Sequence, residues 1–527
     1  MNAEDRVVRR RALLVVAGAL TAVLAFSLFH IRDSNAPDDG LFVTAGWQVS
    51  MGDALYRDIV TNHPPLMIWL IGGVMRIAGP SYVTVRAVFL VAYLLSLIFL
   101  YLLVRRLHSE RAAALAVLFF GLDPFMLDMA PRLTVMLAWV VMLWIPALYF
   151  YVRGTQDARL RWVLVAGIFG GLAIMAKQVG LFILPMLAWY EICMGAGTPV
   201  AARVRRFAIF VAGAVVPVAI ILAVLAWQGV LRDFWFYAYG MNELQPLQRL
   251  VYNTKWVASL HLGRLLLWTG LGLICSWALL RPSGPAPEER VGPRMLRNRF
   301  FLTVAGWWAL NTAFLFLPER LQDHYLIPVY FCLALMTAPI ILRLSQGFAL
   351  RRDGLFLTGA DDAGRRIGVI SLLAALALIV FSTRFIRSEL EDLRRGRMTG
   401  VSTEQERAIG DYVRSITQPD DRIFCLSNPI FYFGSDRRPS TKYAGVFGAF
   451  ARSPIRKDFA NSIAKSLSDP RTTAVVVQKD WREGEEFGKR LEPAFSEELA
   501  KWFRRDKSFD YVEPGRVEVW VRKAGDK

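Results

Sequence analysis

Apolar runs of membrane-crossing length recur from residue 12 to residue 381, and arginines punctuate them. The runs at 12–30, 83–104, 112–127, 133–151, 162–176, 180–192, 207–227, 265–280, 300–317, 325–342 and 367–381 read as spans. The run 66–79 reads otherwise. It holds only about 14 residues and is broken by Gly72-Gly73, which suits a re-entrant or surface helix. Counting it as a span would also invert every later segment and put the arginine clusters outside. Without it about eleven spans remain, and every major basic loop falls on one side, the cytoplasmic one. Those loops carry Arg105-Arg106, Arg153 with Arg159 and Arg161, Arg203 with Arg205 and Arg206, and Arg351-Arg352. Arg6, Arg9, Arg10 and Arg11 precede the first run, so the N-terminus is expected in the cytoplasm. A signal peptide would start the same way, but this run has no clear small-residue cleavage site and leads straight to Asp38.

The pattern changes near residue 384, where hydrophobicity falls to soluble levels. Helical spacing covers 404–416, and 422–426 and 473–477 read as short buried strands. A helix with proline at its entry is expected over 493–503, and a closing strand over 516–521. The predicted architecture is therefore a polytopic α-helical membrane protein with a C-terminal soluble α/β domain. Its boundaries are 1–385 for the membrane domain, with a first outer loop at 31–82, and 386–527 for the tail. The odd span count leaves that tail outside. The stretch 281–293 is rich in Pro, Gly and Arg and reads as a flexible connector.

Composition agrees. The chain is 55% hydrophobic and 13% aromatic. A net charge of +18 could suggest nucleic acid, but the arginines sit beside apolar runs, where charge sets topology. Cys193, Cys275 and Cys332 lie in or beside apolar segments and Cys425 is alone in the tail, so no disulfide framework is implied.

The stretch 38–66 carries the densest candidate chemistry. It holds Asp38-Asp39-Gly40, Tyr56-Arg57-Asp58 and His63-Pro64-Pro65-Leu66. Carboxylates at a membrane boundary are costly to hold and mark function more often than scaffold. The topology brings Asp38, Asp39, Arg57, Asp58, His63, Lys177, Arg320, His324 and Tyr325 to the same outer face. Each alone has an ordinary structural explanation: Lys177 snorkels from a span end, His324 caps a helix, Tyr325 is an interface aromatic. Together they suit displacement of a phosphate from carbon. A carboxylate takes the proton of an acceptor hydroxyl, and cations stabilise the departing anion.

The same motifs, in this order after the first span, resemble the first outer loop of the GT-C superfamily of membrane glycosyltransferases. The likeness is to the protein O-mannosyltransferases and their bacterial relatives, the lipid A aminoarabinose transferases. The segments Ala176-Lys177-Gln178-Val179-Gly180 and His324-Tyr325-Leu326-Ile327-Pro328 are also similar to bacterial members. The resemblance implies an inverting glycosyltransferase of the bacterial inner membrane. It implies a polyprenyl-phosphate sugar as donor, a glycan, lipid or protein acceptor, and transfer on the periplasmic face. By position, Asp38 matches the catalytic Asp and Asp39 its acidic neighbour. Arg57, Asp58, His63, Lys177, Arg320, His324 and Tyr325 are expected to bind substrate. No cofactor is required by the resemblance, although a divalent metal is compatible with it. Many members place a second acid near the fourth span, where this chain reads Pro131-Arg132-Leu133-Thr134-Val135; Asp123 or Asp128 is the substitute available. Two other classes compete: a flippase of lipid-linked glycans, which would carry charges within spans and repeated halves, and a non-catalytic scaffold, which leaves 38–66 without a role.

Overall fold

The structure is a computed structural model and describes residues 3–29, 31, 37–123, 126, 136–195, 197–240, 291–314, 323–349, 403–444, 456–478, 492–511 and 516–524. For Asp38, Asp39 and His324 it describes the backbone alone. The expected spans 265–280 and 367–381 lie outside the described residues, as do Arg320, Asp128 and residues 131–135.

The helical part opens with α1 (Ala3–Phe29), α2 (Pro37–Ser50), α3 (Leu66–Ala78), α4 (Tyr82–Leu107) and α5 (Glu110–Gly121). It continues through α6 (Met136–Gln156), α7 (Leu160–Ala176), a 3-10 turn at Gln178–Phe182, α8 (Ile183–Met194) and α9 (Val200–Trp227). A short α10 (Leu231–Trp235) runs into a turn at Phe236–Gly240. Then come α11 (Val291–Phe314), a 3-10 turn at Asp323–Leu326 and α12 (Ile327–Ala349). Among the described residues, Asp5–Phe29, Tyr82–Leu107, Met136–Gln156 and Val200–Trp227 are long and apolar enough to cross a membrane, and α3, α7, α8 and part of α12 are shorter apolar helices.

Local chemistry explains the helix ends. Ser81 and Ser109 cap α4 and α5, their hydroxyls accepting from the N–H of Thr84 and of Ala112. The last turn of α4 carries Arg105 and Arg106. Arg106 pairs with Asp157 just past α6 at 2.8 Å, and Arg206 of α9 pairs with Glu191 of α8 at 2.6 Å. Tyr151 of α6 donates to the same Glu191 at 2.8 Å. The end of α4, α6 and α8 that meets the start of α9 is thus the basic end, as the charge pattern predicts. Between α7 and α9 the backbones nearly touch. A Cβ on Gly167 would lie 2.1 Å from the Phe210 carbonyl oxygen, so only glycine permits this crossing.

The C-terminal part is α13 (Thr403–Ser415), β1 (Arg422–Leu426), α14 (Ile430–Ser435), β2 (Arg438–Pro439), α15 (Arg456–Ser468), β3 (Thr472–Gln478), α16 (Glu492–Trp502), β4 (Phe503–Asp510) and β5 (Arg516–Arg522). The sheet runs β2-β1-β3-β5-β4. β1 lies parallel to β2 and β3, while β5 lies antiparallel to β3 and β4. β1 and β3 bury nearly every side chain, as their unbroken apolar reading predicts.

One expectation is corrected. The stretch 41–49 reads as an interfacial helix offering Phe42, Trp47 and Val49 to lipid. The structure buries Phe42 and Trp47 in α2. Trp47 meets the ring of Phe433 edge-on at 6.1 Å, and Thr44 Oγ1 donates to the Pro429 carbonyl at 2.8 Å. The C-terminal sheet unit sits on the apolar face that lipid was expected to cover.

Candidate active site

Pro37 opens α2, where its missing N–H costs nothing, and this places Asp38 and Asp39 in the first helical turn rather than in a loop. Successive positions on a helix are about 100° apart, so the two residues face different sectors. Their side chains lie outside the described residues.

After α2 the chain folds back on itself. Tyr56 takes a left-handed φ of 70°, donates its N–H to the Ile59 carbonyl at 2.7 Å, and sends its hydroxyl to the His63 carbonyl at 2.7 Å. Arg57 and Asp58 pair with each other at 3.0 Å. Burial raises Asp58, but the Arg57 guanidinium and the Ala54 N–H outweigh it and hold the carboxyl below its usual range. These two stabilise the turn; the structure does not bring them to the cluster described next.

That cluster forms where α7 stops. Lys177 is extended, with φ −158° and ψ 148°, and breaks the helix before the 3-10 turn. Its side chain is buried, with Nζ 4.7 Å from the Tyr325 ring centroid. A snorkelling lysine would be exposed; this one is not, and among the described residues no carboxylate pairs with it. His63 lies beside it and packs against Phe42 with ring centroids 5.4 Å apart. Burial first, then the nearby Lys177, push the His63 imidazole down to about 3. His63 is therefore neutral and is not one of the cations that a phosphate would meet.

Several residues were missed in the sequence. Gln178 donates both amide protons, to the carbonyls of Asn62 at 2.8 Å and Ala238 at 2.6 Å, and so ties three segments together. Lys442 of the tail closes the ring: its carbonyl accepts from Val60 N at 2.8 Å and its Nζ lies 3.4 Å from the Tyr237 hydroxyl. Arg86, buried in α4, donates to the Ile31 carbonyl at 2.9 Å. A signal existed for Arg86, because an arginine inside an apolar run is expensive.

The neutral state of His63 has a measurable consequence. An unfolded imidazole titrates near 6.5 and this one near 3, so the unfolded chain takes up the proton first as pH falls. The contribution to stability is complete above about 6.5 and is lost progressively towards 3. Thermal unfolding in detergent at pH 7.5 and pH 5 should show a smaller acid penalty for His63→Asn than for wild type. An equal penalty would mean that His63 is solvated.

The family model described as dolichyl-phosphate-mannose-protein mannosyltransferase matches residues 62–227. The undecaprenyl phosphate-alpha-4-amino-4-deoxy-L-arabinose arabinosyl transferase of Pseudomonas aeruginosa is 25% identical over 394 residues, or 69% of this chain and 65% of the relative. The chain thus matches 65% of the length of that curated relative. ArnT of Cupriavidus metallidurans, solved bound to undecaprenyl phosphate, superposes with a TM-score of 0.60 over 98% of both chains at 17% identity. The chain has the GT-C fold. The oligosaccharyltransferase AglB of Archaeoglobus fulgidus shares the GT-C fold with a TM-score of 0.53 at 14% identity, over 97% of this chain and 74% of that one. Among the described residues no three His, Cys, Asp or Glu side chains form a metal-binding group.

Proposed function

We propose that this chain is an inverting glycosyltransferase that moves a sugar from a polyprenyl-phosphate donor to a cell-envelope acceptor on the outer face of the bacterial inner membrane. The observation that carries the reading is the buried Lys177 ammonium, held on Tyr325 beside His63 with no carboxylate partner among the described residues. A buried cation of this kind is costly unless an anion completes it. The donor phosphate supplies one, at the depth where a lipid headgroup sits. The acceptor oxygen then attacks the anomeric carbon from the opposite side, its proton passes to Asp38, and the carbon–oxygen bond to phosphate breaks. The leaving phosphate keeps the electron pair and needs charge rather than a proton, which suits Lys177. The related ArnT bound to undecaprenyl phosphate and the match to a polyprenyl-phosphate family support the donor class.

The test is direct. Lys177→Met keeps the stem and removes the charge, and should weaken binding of undecaprenyl phosphate by about 10- to 100-fold. If Lys177→Met and His324→Ala both bind it as tightly as wild type, the phosphate site lies elsewhere.

A further inference from the structure

Two buried polar atoms on adjacent residues of the site, Asn62 Oδ1 and His63 Nδ1, have no hydrogen-bond partner among the described residues. Buried polar atoms are almost always paired, so these call for an explanation. They cannot readily swing away to find one. The Asn62 carbonyl is held by Gln178, the His63 carbonyl by the Tyr56 hydroxyl, and the His63 ring rests on Phe42. With the amide oxygen at Asn62 and a neutral imidazole at His63, both atoms are able to accept. Acceptors repel phosphate oxygens and pair with O–H groups. Lys177, immediately beside them, offers the opposite preference. A ligand that fits both needs an anion and hydroxyls on neighbouring atoms, and a glycosyl phosphate has that arrangement.

We propose that Asn62 and His63 form a subsite for the hydroxyl groups of the donor sugar, next to the phosphate position at Lys177. This rests on the donor reading above and adds a division of labour to it: Lys177 reads the phosphate, and the 62–63 corner reads the sugar. The subsite also sets orientation. Sugar hydroxyls pinned at 62–63 and phosphate pinned at 177 fix the anomeric carbon between them.

The experiment compares three lipids on the full chain in nanodiscs: undecaprenyl phosphate, undecaprenyl phosphate mannose, and undecaprenyl phosphate-α-4-amino-4-deoxy-L-arabinose. Wild type should bind at least one sugar-loaded lipid about tenfold more tightly than the bare lipid. Asn62→Leu with His63→Phe keeps size and ring packing and removes both acceptors. It should bind the bare lipid as wild type does, which also reports a folded site, and should lose the sugar advantage. His63→Gln restores an acceptor and should recover part of it. Equal wild-type binding of all three lipids would overturn the subsite whatever the variants do. Equal loss for bare and loaded lipid in the double variant would place these residues in the phosphate site and overturn it too. No binding of any lipid by wild type would overturn the donor reading, and the subsite with it.

Discussion

Asp38→Asn should fold, bind donor lipid and lose turnover by roughly 10²- to 10⁴-fold, the usual worth of a general base. The substitution keeps the shape of the side chain and removes its basicity. Asp39→Asn should lose less, because the two positions lie about 100° apart around the α2 axis and cannot serve one proton. A structural role makes a different prediction. In the first turn of α2, a carboxylate favours the helix N-terminus by about 0.3–1 kcal/mol, and asparagine replaces it at nearly no cost in capping. Under that reading both variants turn over normally and melt slightly lower. The deciding measurement is sugar transfer by purified Asp38→Asn protein whose donor binding matches wild type. Near-normal turnover there would remove Asp38 from the chemistry.

Gly40→Val should separate the C-terminal sheet unit from the membrane part. A Cβ at position 40 would stand 2.1 Å from Asn428 Oδ1 and 2.8 Å from the Ile430 backbone nitrogen. Asn428 cannot easily give way, because Oδ1 accepts from Ile430 N at 3.1 Å while Nδ2 reaches Glu406 at 3.3 Å. Overpacking of this kind costs about 1–3 kcal/mol, and the lost contact of Trp47 with Phe433 adds to it. Limited proteolysis should cut the variant faster in the tail, and transfer should fall. Gly73→Ala is the control: its Cβ meets nothing within 4 Å, and the change should be neutral or stabilise α3 by up to about 1 kcal/mol. A Gly40→Val protein as resistant to protease as wild type would show that this contact does not hold the unit in place.

Much of this was legible in the sequence. The apolar runs placed α4 and α7 within a few residues and found α6 and α9, which extend beyond their runs into the basic stretches at Arg153 and at Arg203 to Arg206, and the turn at Lys177-Gln178 falls where polarity interrupts two runs. Strands β1 and β3 were readable because both faces are buried and the apolar run is unbroken. β4 was not. Its sequence is polar and its side chains are mostly exposed, so pairing with β5 rather than burial makes it a strand. The burial of α2 was hidden for another reason: a face meant for a protein partner has the same composition as one meant for lipid. The sign of His63 was also hidden, since its neutrality depends on Phe42 and Lys177, neither adjacent in sequence. Gln178 could be seen but its two carbonyl partners, 116 and 60 residues away, could not.

The tail's grip on the first loop bears on how the molecule is made. Thr44 and Pro429 touch across 385 residues, and Val60 pairs with Lys442. A ribosome releases the first loop long before it makes the segment that braces it. During synthesis the His63 corner therefore exists before the segment that braces it. Only when the last part has been made and has folded does the Val60–Lys442–Tyr237–Gln178–Asn62 ring close. A chain stopped short of residue 442 would lack the Val60–Lys442 pairing, and its first loop would keep only its own contacts.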